Sequence, residues 1–201
     1  MLPTTKLEAV NIMLASIGEA PINSLDSGLV DAEMAETILD AVTRSVQSEG
    51  WTFNTEYSMK LTPDVDEHII IPVNTLKIDP VNRSVRLVRR GGKLYDPLNH
   101  TFKFKQPVIA DIVVALAFED LPETARRYSA IKAARTFQDR TVGSTQLHGF
   151  QSQDEQMAYM KMVRDESQVS DHNFLSDNQS QSITNRRATG SILSGGRIVI
   201  T

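Results

Sequence analysis

The sequence predicts an α+β protein: a four-helix bundle carrying an inserted, mostly antiparallel β subdomain and ending in an extended C-terminal arm. Three observations carry that expectation. Apolar residues recur at helical spacing near both ends of the folded part, the spacing drops to every second residue from Trp51, and periodicity fades after about residue 170, where Ser, Asn, Gln, Thr and Gly dominate. The expected boundaries are 1–50 and 120–170 for the bundle, 51–119 for the β subdomain and 171–201 for the arm.

Thr5 and Glu8 have capping-box spacing, and Leu7, Val10, Leu14 and Ile17 then recur on one helical face until Gly18 and Pro21 stop it. A second helix runs from about Leu29 to Glu49, with Met34, Ile38, Val42 and Val46 on one face and Gly50 as its end. At Trp51 the period changes. Trp51, Phe53, Tyr57, Met59 and Leu61 alternate with Thr52, Asn54, Glu56, Ser58 and Lys60, the pattern of a half-buried strand with Trp51 and Phe53 in the core. Further strands are expected at His68 to Ile71, Leu76 to Ile78, Val85 to Arg89, Lys93 to Tyr95, Thr101 to Lys105 and Ile109 to Phe118, with a tight hairpin at Gly91 and Gly92.

Helices then resume. Asp120 is the expected N-cap of a third helix with Pro122 in its first turn, and Leu121, Ala125, Tyr128, Ile131 and Phe137 form its apolar stripe. A fourth is expected from about Gly143 to Val169, packing through Leu147, Phe150, Met157, Met160 and Val163. The arm has too little apolar surface to offset the roughly 1–2 kcal/mol of backbone entropy that ordering each residue costs, so it should become ordered only against another chain. Fully extended at ~3.3 Å per residue, about 30 residues reach on the order of 100 Å, which makes it a docking arm.

Composition narrows the function. A net charge of −4 provides no overall attraction to nucleic acid or anionic membrane, and the absence of cysteine excludes disulfides and thiolate metal sites. MLPTTKLEAV has no basic segment followed by an apolar run, so no export signal is expected, nor any membrane insertion.

The search for chemistry finds no GxSxG, HExxH, P-loop or GxGxxG pattern. His68, His100, His148 and His172 fall in separate elements without metal-ligand spacing and read as structural or surface residues. No catalytic residue, cofactor site or metal site is expected. Asp64, Asp66 and Glu67 are the carboxylates that a glycan-hydrolysing activity, the alternative function, would use, although acidic residues are ordinary turn chemistry beside Pro63. Arg89, Arg90, Gly91, Gly92 and Lys93 form a basic hairpin tip, suited to phosphates or a carboxylate-bearing partner, or else a plain solvated turn. Arg126, Arg127, Lys132 and Arg135 read as the exposed face of the third helix, with an intersubunit contact as the other reading.

The blocks AVNIMLASIGEAPINSL, ILDAVTRSVQSEGWTFNTE, VRRGGKLYD and FEDLPETARRYSAIKAARTFQDR, in that order across most of residues 5–165, resemble the tail tubular protein A family of short-tailed bacteriophages, the podoviruses. The resemblance implies a structural adaptor, or head-tail connector, in the virion tail, assembled in the host cytoplasm. It implies a homo-oligomeric ring of twelve copies beneath the portal protein and above the nozzle, tail tubular protein B. Tail fibres attach near that junction, and double-stranded DNA passes through the ring on ejection. It further implies that the C-terminal extension reaches along the portal. Arg186, Arg187 and Arg197 fit that role because no acidic residue follows Asp177, and Ile198, Val199 and Ile200 form the one β-prone run of the arm, suited to addition to a sheet edge.

Overall fold

The computed structural model describes residues 3–82 and 85–174. The arm residues Arg186, Arg187, Arg197, Ile198, Val199 and Ile200 lie outside them.

Helix α1 (Lys6–Ile17) starts at the capping box its sequence predicts: the Thr5 hydroxyl accepts from the Glu8 amide at 3.2 Å, and the Thr5 amide donates to the Glu8 carboxylate at 2.9 Å. Helix α2 (Val30–Gln47) is joined to α1 by Lys6, whose ammonium reaches Glu36 at 2.7 Å and Asp40 at 2.9 Å. Its buried stripe is Ala32, Ala35, Ile38, Leu39 and Val46, so Met34, expected inside, is exposed. The alanines win the inward positions because they let α2 lie close to its neighbour.

That neighbour is α3 (Glu123–Thr141), which packs against α1, α2 and α4 and presents Ala125, Ser129, Ala130, Ala133 and Ala134 around the large Phe137. Its expected N-cap, Asp120, instead ends a 3-10 turn at Phe118–Asp120, and Pro122 takes the cap position. No side-chain cap is made there. The start of α3 is tied to the chain terminus, because the Thr4 amide and hydroxyl donate to the Glu123 carboxylate at 2.8 and 2.7 Å. Partial burial pushes that carboxyl up, but the Thr4 hydrogen bonds and nearby Arg126 and Arg127 outweigh it and hold Glu123 below its ordinary value of 4.5.

Helix α4 (Thr145–Phe174) runs past residue 171, where the arm was expected to begin. It docks by a different face from the one its apolar spacing predicts. Met162 is buried, Tyr159 meets Tyr128 and Trp51 with ring centroids 5.3 and 6.4 Å apart, and Glu155 pairs with Arg135, while Leu147, Phe150, Met157 and Met160 face outward. Aromatic and ionic contacts chose the inward face. The methionine stripe is left over.

The β subdomain has its own core of Leu61, Ile69, Ile71, Leu87, Leu94, Ala110 and Ile112. Strands β1 (Thr55–Leu61), β2 (Thr75–Pro80) and β5 (Val108–Val114) form an antiparallel sheet in the order β1-β5-β2, and β3 (Val88–Arg90) with β4 (Lys93–Tyr95) forms a hairpin. Gly91 and Gly92 both have positive φ, as a two-residue hairpin turn requires. The strands expected at 68–71 and 101–105 are only isolated bridges, His68 to Lys103 and Ile70 to Lys93. Backbone bonds still tie these segments, with the Leu94 amide donating to Ile69 and the Ile71 amide to Gly92, each at 2.9 Å, and beside them one Asp64 carboxylate oxygen accepts the amides of Asp66 and His68 at 3.0 and 2.8 Å. The alternation read from Trp51 onward also breaks. A register shift lies between Glu56 and Met59, Ser58 has φ 53°, its amide donates to Asp111 at 2.7 Å, and Tyr57 and Met59 point to solvent.

Residues 51–54 form no strand. Trp51 precedes a 3-10 turn at Thr52–Asn54 and packs with Phe53 against the helical core. The turn is held by two buried amides. The Gln47 side chain donates to the Leu116 carbonyl at 3.1 Å and accepts the Leu116 amide at 2.7 Å. Asn54 donates to the carbonyls of Gln47 and Val114, each at 2.9 Å, and accepts the Trp51 amide at 2.9 Å. Gly50, at φ 85°, passes so close to this joint that a Cβ would meet Val113 Cγ2 at 3.1 Å.

Two outcomes follow from this packing. Asn54→Ala removes the bonds to the Val114 carbonyl and the Trp51 amide and one of the two bonds to the Gln47 carbonyl, which keeps the Gly50 amide at 3.1 Å, and at a buried joint this should cost roughly 2–4 kcal/mol of unfolding free energy; denaturant melts showing a loss under about 0.5 kcal/mol would refute the clamp. Because Glu123 titrates lower in the folded chain than unfolded, its stabilisation is present above about pH 4.5 and is lost as pH falls through the folded value. The melting temperature of Glu123→Gln should therefore lie below wild type near neutrality and converge with it in acid, and a gap that stays constant with pH would disprove the assignment.

Candidate assembly surfaces

The side chains that the sequence marks as chemically active are mostly engaged within the fold. At the hairpin tip, Arg89 donates to the carbonyls of Thr75 at 2.9 Å and Val73 at 3.3 Å, the Arg90 guanidinium lies 4.1 Å over the Tyr95 ring, and the Lys93 ammonium is 3.2 Å from His68 Nδ1. The cations are thereby held in fixed places. At the apex, Gly91 and Gly92 have open space where a side chain would be. A partner would meet a rigid, positively charged loop whose backbone is approachable.

On α3 the expected exposed basic face is largely consumed. Arg126 donates to the carbonyls of Leu121 at 2.7 Å, Thr4 at 3.1 Å and Glu119; Arg135 pairs with Glu155 and with Asp139 at 3.3 Å. Lys132 donates to the Tyr128 hydroxyl at 3.2 Å and lies 5.3 Å from its ring. Arg127 alone of the four is exposed. Three of the four therefore fasten α3 to the segments before α1 and before α3 itself, to α4 and to its own turns, a role that helical spacing does not disclose, since long cationic side chains can reach inward from a helix flank.

Asp64, Asp66 and His68 have ligand atoms within 4.8 Å of one another. Asp64 is already occupied with two backbone amides of its own turn, and His68 with Lys93, whose positive charge opposes a cation there. Glu67 belongs to the same turn, with φ 66°. The three carboxylates thus follow one another along a single turn, whereas a glycosidase pair must face each other across a bound sugar. His148 bonds Asp139 at 2.9 Å, and His100 lies 3.5 Å from the Tyr95 hydroxyl. The side chain of His172 lies outside the described residues.

Two of the surface grooves are largely apolar. A groove of about 470 Å³ between α1, α3 and α4 is lined by Ile12, Ile131, Met157 and Ala158, with Arg127, Asp154 and Lys161 at its edge. A second, of about 690 Å³, lies beside the 3-10 turn between Phe53, Pro122, Met162 and Val169. Among the described residues no helix is long and apolar enough to cross a membrane. Both are open grooves rather than enclosed cavities.

Comparison with known proteins agrees in kind. The family described as Tube: Tail tubular protein matches residues 7–172, both the helical and the β parts in one span. Tail tubular protein A of Klebsiella phage KP34 is 32% identical over 125 residues, which cover 62% of this chain and 67% of that protein.

Proposed function

The chain belongs to the tail tubular protein family, a structural component of a phage tail, and from that premise we propose that it is the adaptor subunit of a short tail. Copies close into a ring of twelve that joins the portal to the nozzle and forms part of the channel through which double-stranded DNA leaves, with tail fibres attached near the lower rim. The observation that carries this reading is the unbroken family match across residues 7–172, together with the identity to a protein named tail tubular protein A. The engagement of Asp64 in its own turn, with Asp66 and Glu67 following it along that turn, supports a reading of these carboxylates as structural. Assembly takes place in the host cytoplasm, and the product resides in the virion tail.

In this reading the segment after α4 docks on the portal. Arg186, Arg187 and Arg197 supply charge, and Ile198, Val199 and Ile200 add a strand to a portal sheet edge. Each backbone bond adds only ~1 kcal/mol net, but repetition around a ring makes later engagements intramolecular and the joint durable. The rigid apex at Arg89, Arg90, Gly91, Gly92 and Lys93 is a second contact, suited to a carboxylate-bearing neighbour in the tail.

Electron micrographs of the purified chain mixed with portal should show added density in a ring, and a portal that stays bare would defeat the adaptor reading. Deleting Ser194 to Thr201 should weaken portal co-sedimentation at physiological salt and leave the melting temperature within about 1–2 °C, because no described core residue is touched. Normal portal binding by the truncated chain would remove the terminal strand from the joint. Glycan and peptidoglycan hydrolysis should stay at background; activity abolished by Asp64→Asn or Asp66→Asn would reinstate an enzyme.

A further inference from the structure

Two exposed apolar patches of opposite charge lie on different helices of the same bundle. The first is the start of α2, where Leu29, Val30 and Met34 are exposed beside Asp26, Asp31 and Glu33. Val30 is 74% exposed. The second is the outer face of α4, where Phe150, Met157 and Met160 recur at i, i+7 and i+10 beside Lys161 and Arg164. Met157 and Met160 are 64% and 68% exposed, and Met157 continues into the groove at Ile12 and Arg127.

Scattered exposed apolar side chains need no explanation, and acidic residues in a first turn suit the helix dipole. Neither accounts for three large apolar groups gathered at each place. Among the described residues, none of Asp26, Asp31, Glu33, Lys161 and Arg164 enters an ion pair within its own chain. Both patches thus combine apolar area with uncommitted charge, negative on α2 and net positive on α4, where Arg127 of the adjoining groove, Lys161 and Arg164 outnumber the exposed Asp154. The two helices each pack on α3 without extensive contact with one another.

We propose that these patches are the two halves of one head-to-tail interface, the α2 patch of one copy seating on the α4 patch and adjoining groove of the next. The inference rests on the ring reading above and specifies its subunit contact. A ring closes only through a heterologous interface, in which every subunit carries two different surfaces that fit each other. One patch of each sign per subunit satisfies that condition, and like-signed pairings, α2 with α2 or α4 with α4, are repelled. The methionines provide an apolar surface that adapts as the ring closes.

The absence of cysteine makes the test direct. The full-length double variant Met34→Cys/Met160→Cys, mixed with portal and treated with a short bismaleimide, should give a ladder of covalent oligomers on denaturing gels. Each single variant should give no ladder, and an equimolar mixture of the two singles should stop at dimers. In parallel, Val30→Asp or Met157→Asp should reduce the copies retained on portal at least tenfold with unchanged melting, since both side chains are exposed. Lack of a ladder, with wild-type retention of both aspartate variants, overturns the interface while leaving the ring intact. A wild-type chain that never assembles on portal defeats the ring reading and this interface with it. Cross-linking of Met34→Cys to an added Ile198→Cys, in place of the ladder with Met160→Cys, identifies the basic C-terminal segment as the occupant of the α2 patch and overturns the proposal.

Discussion

The fold depends on one buried joint. Gln47 at the end of α2 and Asn54 in the 3-10 turn are buried amides that between them bond the backbone of Leu116, Val114, Gln47 and Trp51. This is where the chain leaves the bundle for the β subdomain and where it comes back. Two crossing strands at such a place carry backbone donors and acceptors that neither a helix nor a sheet can pair, and leaving them unpaired out of water costs more than the bonds provide. Two primary amides supply donors and acceptors in the right number, and the backbone closes tightly over them because Gly50 has no Cβ to strike Val113. The Trp51 indole adds a bond to the Val46 carbonyl at 2.8 Å and locks the turn to α2.

From that joint the two cores follow separately. The bundle closes around alanine-rich α3, whose small side chains permit three helices to approach it, and the β subdomain fills its own interior without sharing residues with the bundle. A joint made of directional hydrogen bonds, rather than of a sliding apolar contact, fixes the relative pose of the two parts.

Much of the fold was legible because local chemistry determined it. Thr5 and Glu8 set the start of α1, and Gly91 and Gly92 set the β3-β4 turn; both signals act within four residues and no tertiary contact overrides them. Other features were illegible for the opposite reason. Asn54 sits on the polar side of an alternating pattern, and nothing within its neighbourhood shows that its partners lie at Val114, across the β subdomain. The bulge at Ser58 depends on Asp111 of another strand. The candidate surfaces divide in the same way. The hairpin cations are visible as a cluster, but their tethering to Thr75, Val73, Tyr95 and His68 is a tertiary fact.

The orientation of α4 shows how the same limits shape function. Its most regular apolar stripe, Phe150, Met157 and Met160, would be the natural inward face of an isolated helical pair. The aromatic contacts of Tyr159 and the ion pair between Glu155 and Arg135 turn it instead, so that Met162 faces the core. Burying the stripe would bring apolar area at about 25 cal/mol per Å² but would strand Arg135 and open the aromatic cluster. The surplus apolar face is therefore a consequence of how the helix is anchored. A monomer carries that exposed area as a liability, whereas a chain that acts in many copies can use it for cohesion. The cations of α3 and α4 divide in a related way, since Arg126, Lys132 and Arg135 are fixed internally, whereas Lys161 and Arg164, which enter no ion pair among the described residues, border the face that is left open.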